Sequence, residues 1–193
     1  MEVIVRISEQ LDQASVAGFL SVLKIPNMSI DQVAMPGQIS SQEGNESHTF
    51  YVNVEPGGDD LTEVDAQKHL DNSATSLLLF NANVPSLDEP KVIYITDYSA
   101  TAREKLERFK QLRPAGFLGA TVIEDTETTP TKITWNEVSK QILQTTKATV
   151  QSTRANLIIA NYDFKSTKRD TNRAECLTKL VKQNPCHVLI LKT

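Results

Sequence analysis

The chain has 193 residues, 39% hydrophobic and 23% charged, with a formal net charge of −4. That length buries a sizeable core in one domain. No apolar run nears the ~20 residues that span a bilayer, and the acidic balance argues against a nucleic-acid binder, whose affinity comes mainly from neutralised phosphates. The N-terminus lacks the basic start and cleavage site of a secretion signal. Cys176 and Cys186 have no ligand spacing and fit a reducing compartment, so the expected location is cytoplasmic.

Elements alternate along the chain. Glu2 to Ile7 reads as a strand, and Leu11, Ala14, Val16, Phe19, Leu20 and Leu23 follow at helical spacing up to Pro26. A polar insert at about 26–48 carries the turn signals Pro36-Gly37 and Gly44-Asn45, with Ile30, Val33 and Ile39 as candidates for a short strand. An insert of this length is expected to act as a lid, a hairpin or an interaction surface. His48 to Val54 alternates, with Phe50, Val52 and Val54 on one face and Tyr51 and Asn53 on the other. This predicts a half-buried strand at a sheet edge.

Asp60 to Asp71 predicts a short polar helix capped by Asp60. Ser76 to Phe80 and Lys91 to Thr96 read as buried strands, and Gly116 to Ile123 as another. Helices are expected to open at Thr101, Thr134 and Asn172. Each is followed three residues later by a glutamate (Glu104, Glu137, Glu175), the pattern of a capping box or its Asn variant. The chain closes with Leu157 to Ala160, a polar loop, an amphipathic segment and His187 to Leu191. Strand, loop, helix and strand in that length predict one parallel crossover. No internal repeat is visible. The expectation is a single α/β domain over 1–193: a mostly parallel open sheet with helices on both faces, Rossmann-like, its N-terminal part less regular.

Ligands of parallel sheets sit at the carboxyl ends of the strands. This directs attention to Asn161 and Asp163 and to the loop KSTKRDTNR (165–173), which sets four cations against Asp170. Lys165, Lys168 and Arg169 supply charge, Ser166 and Thr167 hydroxyls, and the following helix start favours anions. The alternative is an ordinary turn with solvated cations, and the absence of glycine from Arg154 to Thr193 sets the loop apart from a P-loop. Asp97 ends another strand, where it either meets a ligand or caps the next helix. His48, His69 and His187 are scattered without metal spacing, so no metal site is expected, and no catalytic triad assembles from these residues. His187 reads as structural, and Cys176 as a small buried hydrophobe.

The residues Ala155-Asn156-Leu157-Ile158-Ile159 and Pro185-Cys186-His187-Val188-Leu189-Ile190 resemble the end of a universal stress protein domain, including the regulatory domains attached to cation transporters. The resemblance implies a nucleotide-binding regulatory fold. The chain departs from the ATP-binding pattern in lacking its glycine-rich motif between Asp163 and Glu175, and in having Ile7-Ser8-Glu9 where the first strand usually carries Asp. A second resemblance, to phosphopantothenate–cysteine ligase, rests on Gly116 to Ile123 followed by Ala155 to Asn161; it implies a role for Asn161. The expected function is therefore a non-catalytic regulatory domain that binds a small ligand, a nucleotide among the candidates, or a protein partner, as a homodimer. A nucleotide-dependent ligase or transferase and a pure protein-interaction module are the alternatives.

Overall fold

The β-branched run Val3-Ile4-Val5 favours an extended chain and opens the fold as β1 (Glu2–Ile7). The computed structural model describes residues 2–24, 27–31, 49–71, 75–85, 90–96, 121–124, 135–161 and 171–191. Helix α1 (Gln13–Leu23) starts where the Asp12 carboxylate accepts the Ser15 N–H at 3.0 Å. The Ser15 hydroxyl also donates to Asp12, and these bonds hold its carboxyl below the usual range. The helix ends at Lys24, whose left-handed φ of 49° lets its N–H turn back to the Ser21 carbonyl.

Strands β2 (Met28–Asp31) and β3 (Thr49–Pro56) follow, then a one-turn 3-10 helix at Gly58–Asp60. Helix α2 (Glu63–Asp71) is capped by Thr62 and not by Asp60 as expected. The Thr62 hydroxyl accepts the Asp65 N–H at 3.1 Å and donates to the Asp65 carboxylate at 2.6 Å, a reciprocal cap that the 3-10 turn displaces two residues along the chain. The remaining elements are β4 (Ser76–Phe80), β5 (Val92–Thr96), β6 (Thr121–Glu124), α3 (Trp135–Thr153), β7 (Leu157–Asn161), α4 (Thr171–Gln183) and β8 (His187–Ile190). Helix α4 begins at Thr171, one residue before the expected cap Asn172. The helix expected at Thr101, and residues 116–120 of the expected sixth strand, lie outside the described residues.

One eight-stranded sheet takes in every described strand, in the order β2-β1-β3-β4-β8-β7-β5-β6. All neighbours run parallel except β4 and β8, which pair antiparallel. The predicted parallel pairing of β7 with β8 holds, with Leu157 opposite His187 and Ile158 opposite Val188. The edge position expected for β3 does not, because β3 lies between β1 and β4. The polar face of β3 belongs to an interior strand.

The strand order has an approximate internal symmetry. Strands β1 to β4 are arranged 2-1-3-4, and β5 to β8 repeat that arrangement in reverse across the β4–β8 junction. Leu78 pairs with Leu189, flanked by Leu77–Ile190 and Leu79–Val188, so an approximate twofold through the central pair carries Leu77 onto Val188 and Leu79 onto Ile190. Following the registers outward carries Asn53 onto Ile158 and Arg6 onto Ile93. Helices α2 and α4, each leading into a junction strand, pack together over the centre; Glu63 of α2 lies near enough to Lys179 of α4 to help raise its pKa, after the Glu175 hydrogen bond. The repeat is invisible in sequence because equivalent positions carry unlike side chains.

Two apolar layers cover the sheet. On one face α1 lays Val16, Leu20 and Leu23 on Val3, Val5, Ile7, Val52 and Val54. On the other, α2, α3 and α4 cover Leu77, Leu79, Ile93, Ile95, Ile158, Ala160, Val188 and Ile190. Helices thus flank both faces of a mostly parallel sheet. Cys186 is buried, its thiol 3.1 Å from the Ala155 carbonyl and pushed up to about 12 by burial. Cys176 is only half-buried, contrary to expectation.

His187 sits at the junction with 3% of its surface exposed, its ring stacked 4.6 Å from that of Phe80 and tilted against that of Phe19 at 4.0 Å. Its Nδ1 accepts the Asn81 backbone N–H at 3.2 Å, which requires an unprotonated nitrogen. Burial lowers its pKa from 6.5 to about 4. The unfolded chain therefore binds the extra proton first, and stability falls as pH drops through the window from 6.5 toward 4. The full shift corresponds to a loss on the order of 3 kcal/mol. Urea unfolding from pH 7.5 to 4.5 is expected to show this decline and to show a flatter one for His187→Phe, which keeps the stack but leaves the Asn81 N–H unpaired at about 1–3 kcal/mol. Equal pH slopes would remove His187 as the cause.

Candidate functional site

The two halves run in opposite directions, so the carboxyl ends of β1 to β4 and of β5 to β8 lie at opposite ends of the sheet. Each half has its own point where connections part. From β1 the chain leads outward to β2, while from the adjacent β3 it leads inward to β4; β5 and β7 behave alike. Crevices at such reversals are where open α/β sheets hold ligands.

In the second half the reversal brings together the strand ends singled out from sequence. Asn161 lies in register with Thr96, and Asp97 follows Thr96 directly. Asp97, Asp163, Lys165, Ser166, Thr167, Lys168 and Arg169 lie outside the described residues. Below these ends the helix-covered face of the strands is apolar: Ile93, Ile95, Ile158 and Ala160 are all buried in the core. At the opposite ends of the strands, Asn156 binds the three together. Its side-chain oxygen accepts the Lys91 N–H at 2.9 Å, its N–H donates to the Lys91 carbonyl at 3.1 Å, and its carbonyl accepts the His187 N–H at 2.8 Å. This clamp fixes the relative height of β5, β7 and β8, and hence of Thr96 and Asn161.

In the first half the equivalent positions are polar. The face bearing Leu77 and Leu79 continues across β3 and β1 as Tyr51, Asn53 and Glu55 and as Ile4, Arg6 and Ser8. Glu55 is half-buried, and desolvation raises its carboxyl above the ordinary glutamate value. The neighbouring Ser8 hydroxyl partly offsets that rise. Asn53 donates to the Thr75 hydroxyl at 3.0 Å, and the Arg6 guanidinium lies 5.1 Å from the centre of the Tyr51 ring.

A tight turn ends this strand. The Gly57 N–H donates to the Phe80 carbonyl at 2.7 Å, prolonging the β3–β4 ladder by one bond. A Cβ at Gly57 would lie 3.0 Å from the Leu79 carbonyl carbon, and Gly58 has a φ of +85° beside the Asn81 side chain. Chain and neighbour approach so closely only because both residues lack a side chain.

No protein-family model matches the sequence, and no curated protein matches it significantly. Two solved structures are similar in backbone course. One is a functionally unknown protein, PA1789, from Pseudomonas aeruginosa PAO1, 10% identical over 98% of this chain and 81% of that one, with a TM-score of 0.46. The other is a provisional universal stress protein from Pseudomonas aeruginosa UCBPP-PA14, 11% identical over 98% of this chain and 82% of that one, with a TM-score of 0.45. The second carries the name of the family that the C-terminal motif resembles. At these values the likeness bears on neither the site nor its chemistry.

Sequence reasoning singled out Asn161 and Asp97 but passed over Arg6, Ser8, Asn53 and Glu55. The available signal was the alternation through Tyr51, Asn53 and Glu55, which was read as solvent exposure at an edge. Among the described residues no group of three or more His, Cys, Asp or Glu is placed to hold a metal ion.

Gly57→Ala is expected to lower stability by about 1–3 kcal/mol, because the new methyl group presses on backbone that cannot give. Equilibrium denaturation checks this, and an unchanged midpoint would show that the turn relaxes freely.

Proposed function

We propose that the chain is a non-catalytic regulatory α/β domain of the cytoplasm that binds a small ligand, a nucleotide being the first candidate, at the carboxyl ends of β5 and β7. The observation that carries this reading is the register of Thr96 with Asn161 where the connections of the second half part. The segment 162–170 joins that strand end to the start of α4, so its Lys165, Lys168 and Arg169 belong to the chain between the proposed crevice and a helix N-terminus. Backbone N–H groups at such a terminus favour phosphate, and cations add to that preference. The roles assigned to Asp97, Asp163, Ser166 and Thr167, as hydroxyl or carboxylate partners of the ligand, are part of the same proposal. No nucleophile–base pair enters it.

A homodimer formed through edge elements completes the reading. Among the described strands the sheet ends in β2 and β6, and β2 exposes Ile30. A regulatory domain of this kind transmits ligand occupancy through such an edge, since an unpaired strand offers backbone groups to a second chain.

A thermal-shift series with millimolar ATP, CTP, AMP and cyclic nucleotides tests the proposal. A ligand at 100 times its Kd stabilises by about 2.7 kcal/mol, a readily measured rise in Tm. The rise is expected to disappear when Lys165 and Lys168 are both replaced by Ala, and to weaken in Asn161→Ala. A response that survives the double substitution would remove the loop from the site. No response to any nucleotide would favour the alternative of a protein-interaction module using the insert at 26–48.

A further inference from the structure

Helix α1 differs from the other described helices in what it shows to solvent. Its sequence, QASVAGFLSVL, contains no charged residue, whereas α2, α3 and α4 each carry several. A surface helix ordinarily sets charged and polar groups opposite its buried stripe. Opposite Val16, Leu20 and Leu23, α1 instead exposes Ala14, Gly18 and Ser21. The Ser21 hydroxyl donates to the Gly18 carbonyl at 2.7 Å and the Ser15 hydroxyl to the Asp12 carboxylate, so neither depends on water. Beside the helix, Ile30 of the edge strand stands opposite Val5, on the sheet face that α1 covers, and is 43% exposed. Depletion of charge is the compositional mark of an interface centre.

Gly18 is a separate sign. Glycine inside a helix is destabilising relative to alanine, because it gives up more backbone freedom on folding. The fold of this chain does not call for it: Gly18 has no positive φ, and a Cβ there would meet nothing within 4 Å. A glycine with open space above it lets a second backbone come close.

Charge indicates which partner fits. The chain has a net charge of −4, so two copies repel on average, and an uncharged face is where they meet at least cost. The charges bounding α1 are the exposed Asp12 at its start and the exposed Lys24 at its end, with Gly18 midway between them. Crossed antiparallel at Gly18, two copies bring Asp12 of each to the end that carries Lys24 of the other, twice over by symmetry. A parallel crossing would bring like charges together.

We propose that the outward face of α1 docks a second copy of this chain, the two helices crossing antiparallel at Gly18 with Asp12 of each copy beside Lys24 of the other. This rests on the homodimer of the reading above and names its surface.

Sedimentation velocity of the full chain, from micromolar to sub-millimolar concentration, tests the proposal. The wild type is expected to pass from monomer to dimer over that range, more readily at low salt than at high. Gly18→Glu should weaken association about a hundredfold, because it sets like charges face to face at the crossing. In dilute solution the same variant should melt at or above the wild type, since glutamate is the better helix former and the space is open. Lys24→Glu should weaken association less and reverse its salt dependence. A chain that stays monomeric overturns the proposal, as does a dimer that Gly18→Glu leaves intact. The latter result leaves standing a dimer joined through strand edges, and neither touches the nucleotide series. A Gly18→Glu variant that melts well below the wild type also overturns it, by showing that the face is covered within the chain.

Discussion

The antiparallel pairing of β4 with β8 is the contact on which the rest of the architecture depends. Each half by itself is a four-stranded parallel sheet with β4 or β8 at one margin. Pairing Leu77, Leu78 and Leu79 with Ile190, Leu189 and Val188 joins the margins and satisfies their backbone groups. The same contact buries six aliphatic side chains, some facing α2 and α4 and the others facing the opposite layer. His187 and Asn81 tie the ends of these strands together, and Phe19 of α1 leans on the same spot. Because the pairing is antiparallel, it also sends the carboxyl ends of the halves to opposite ends of the molecule.

That polarity divides the chemistry. A single parallel sheet has one row of carboxyl ends and gathers its ligand chemistry there. This sheet has two rows, each with its own parting of connections, and the residues near them differ in kind. The end of β3 carries Glu55 and is followed by Asp59 and Asp60, whereas the segment after β7 contains Lys165, Lys168 and Arg169.

The structure also shows how a correct local reading led to a wrong placement. The alternation through β3 was legible, and Val52 and Val54 are buried as it requires. Its polar face suggested an edge, because water is the usual partner for such a face. The strand is interior, so its polar face meets protein on either side. The same reasoning explains the cap of α2. Asp60 and Thr62 are both competent cap residues, and only the 3-10 turn at Gly58–Asp60, permitted by the positive φ of Gly58, decides between them.

The amino-acid sequence by itself determined the alternation of elements, the burial of strands β4, β5, β7 and β8, and the parallel crossover from β7 to β8. These follow from hydrophobic period, caps and loop length, all properties of neighbouring residues. It also marked Asn161 and Asp97 as residues at strand ends. Only the tertiary structure decided which strands adjoin, that β4 meets β8 head to tail, and that Arg6, Ser8, Asn53 and Glu55 stand where the other half has aliphatic side chains. Strand order depends on pairings between segments as far apart as Leu78 and Leu189, and no local pattern encodes such a distance. The approximate symmetry escaped notice for the same reason: it lies in strand order and backbone register, while equivalent positions carry unlike side chains.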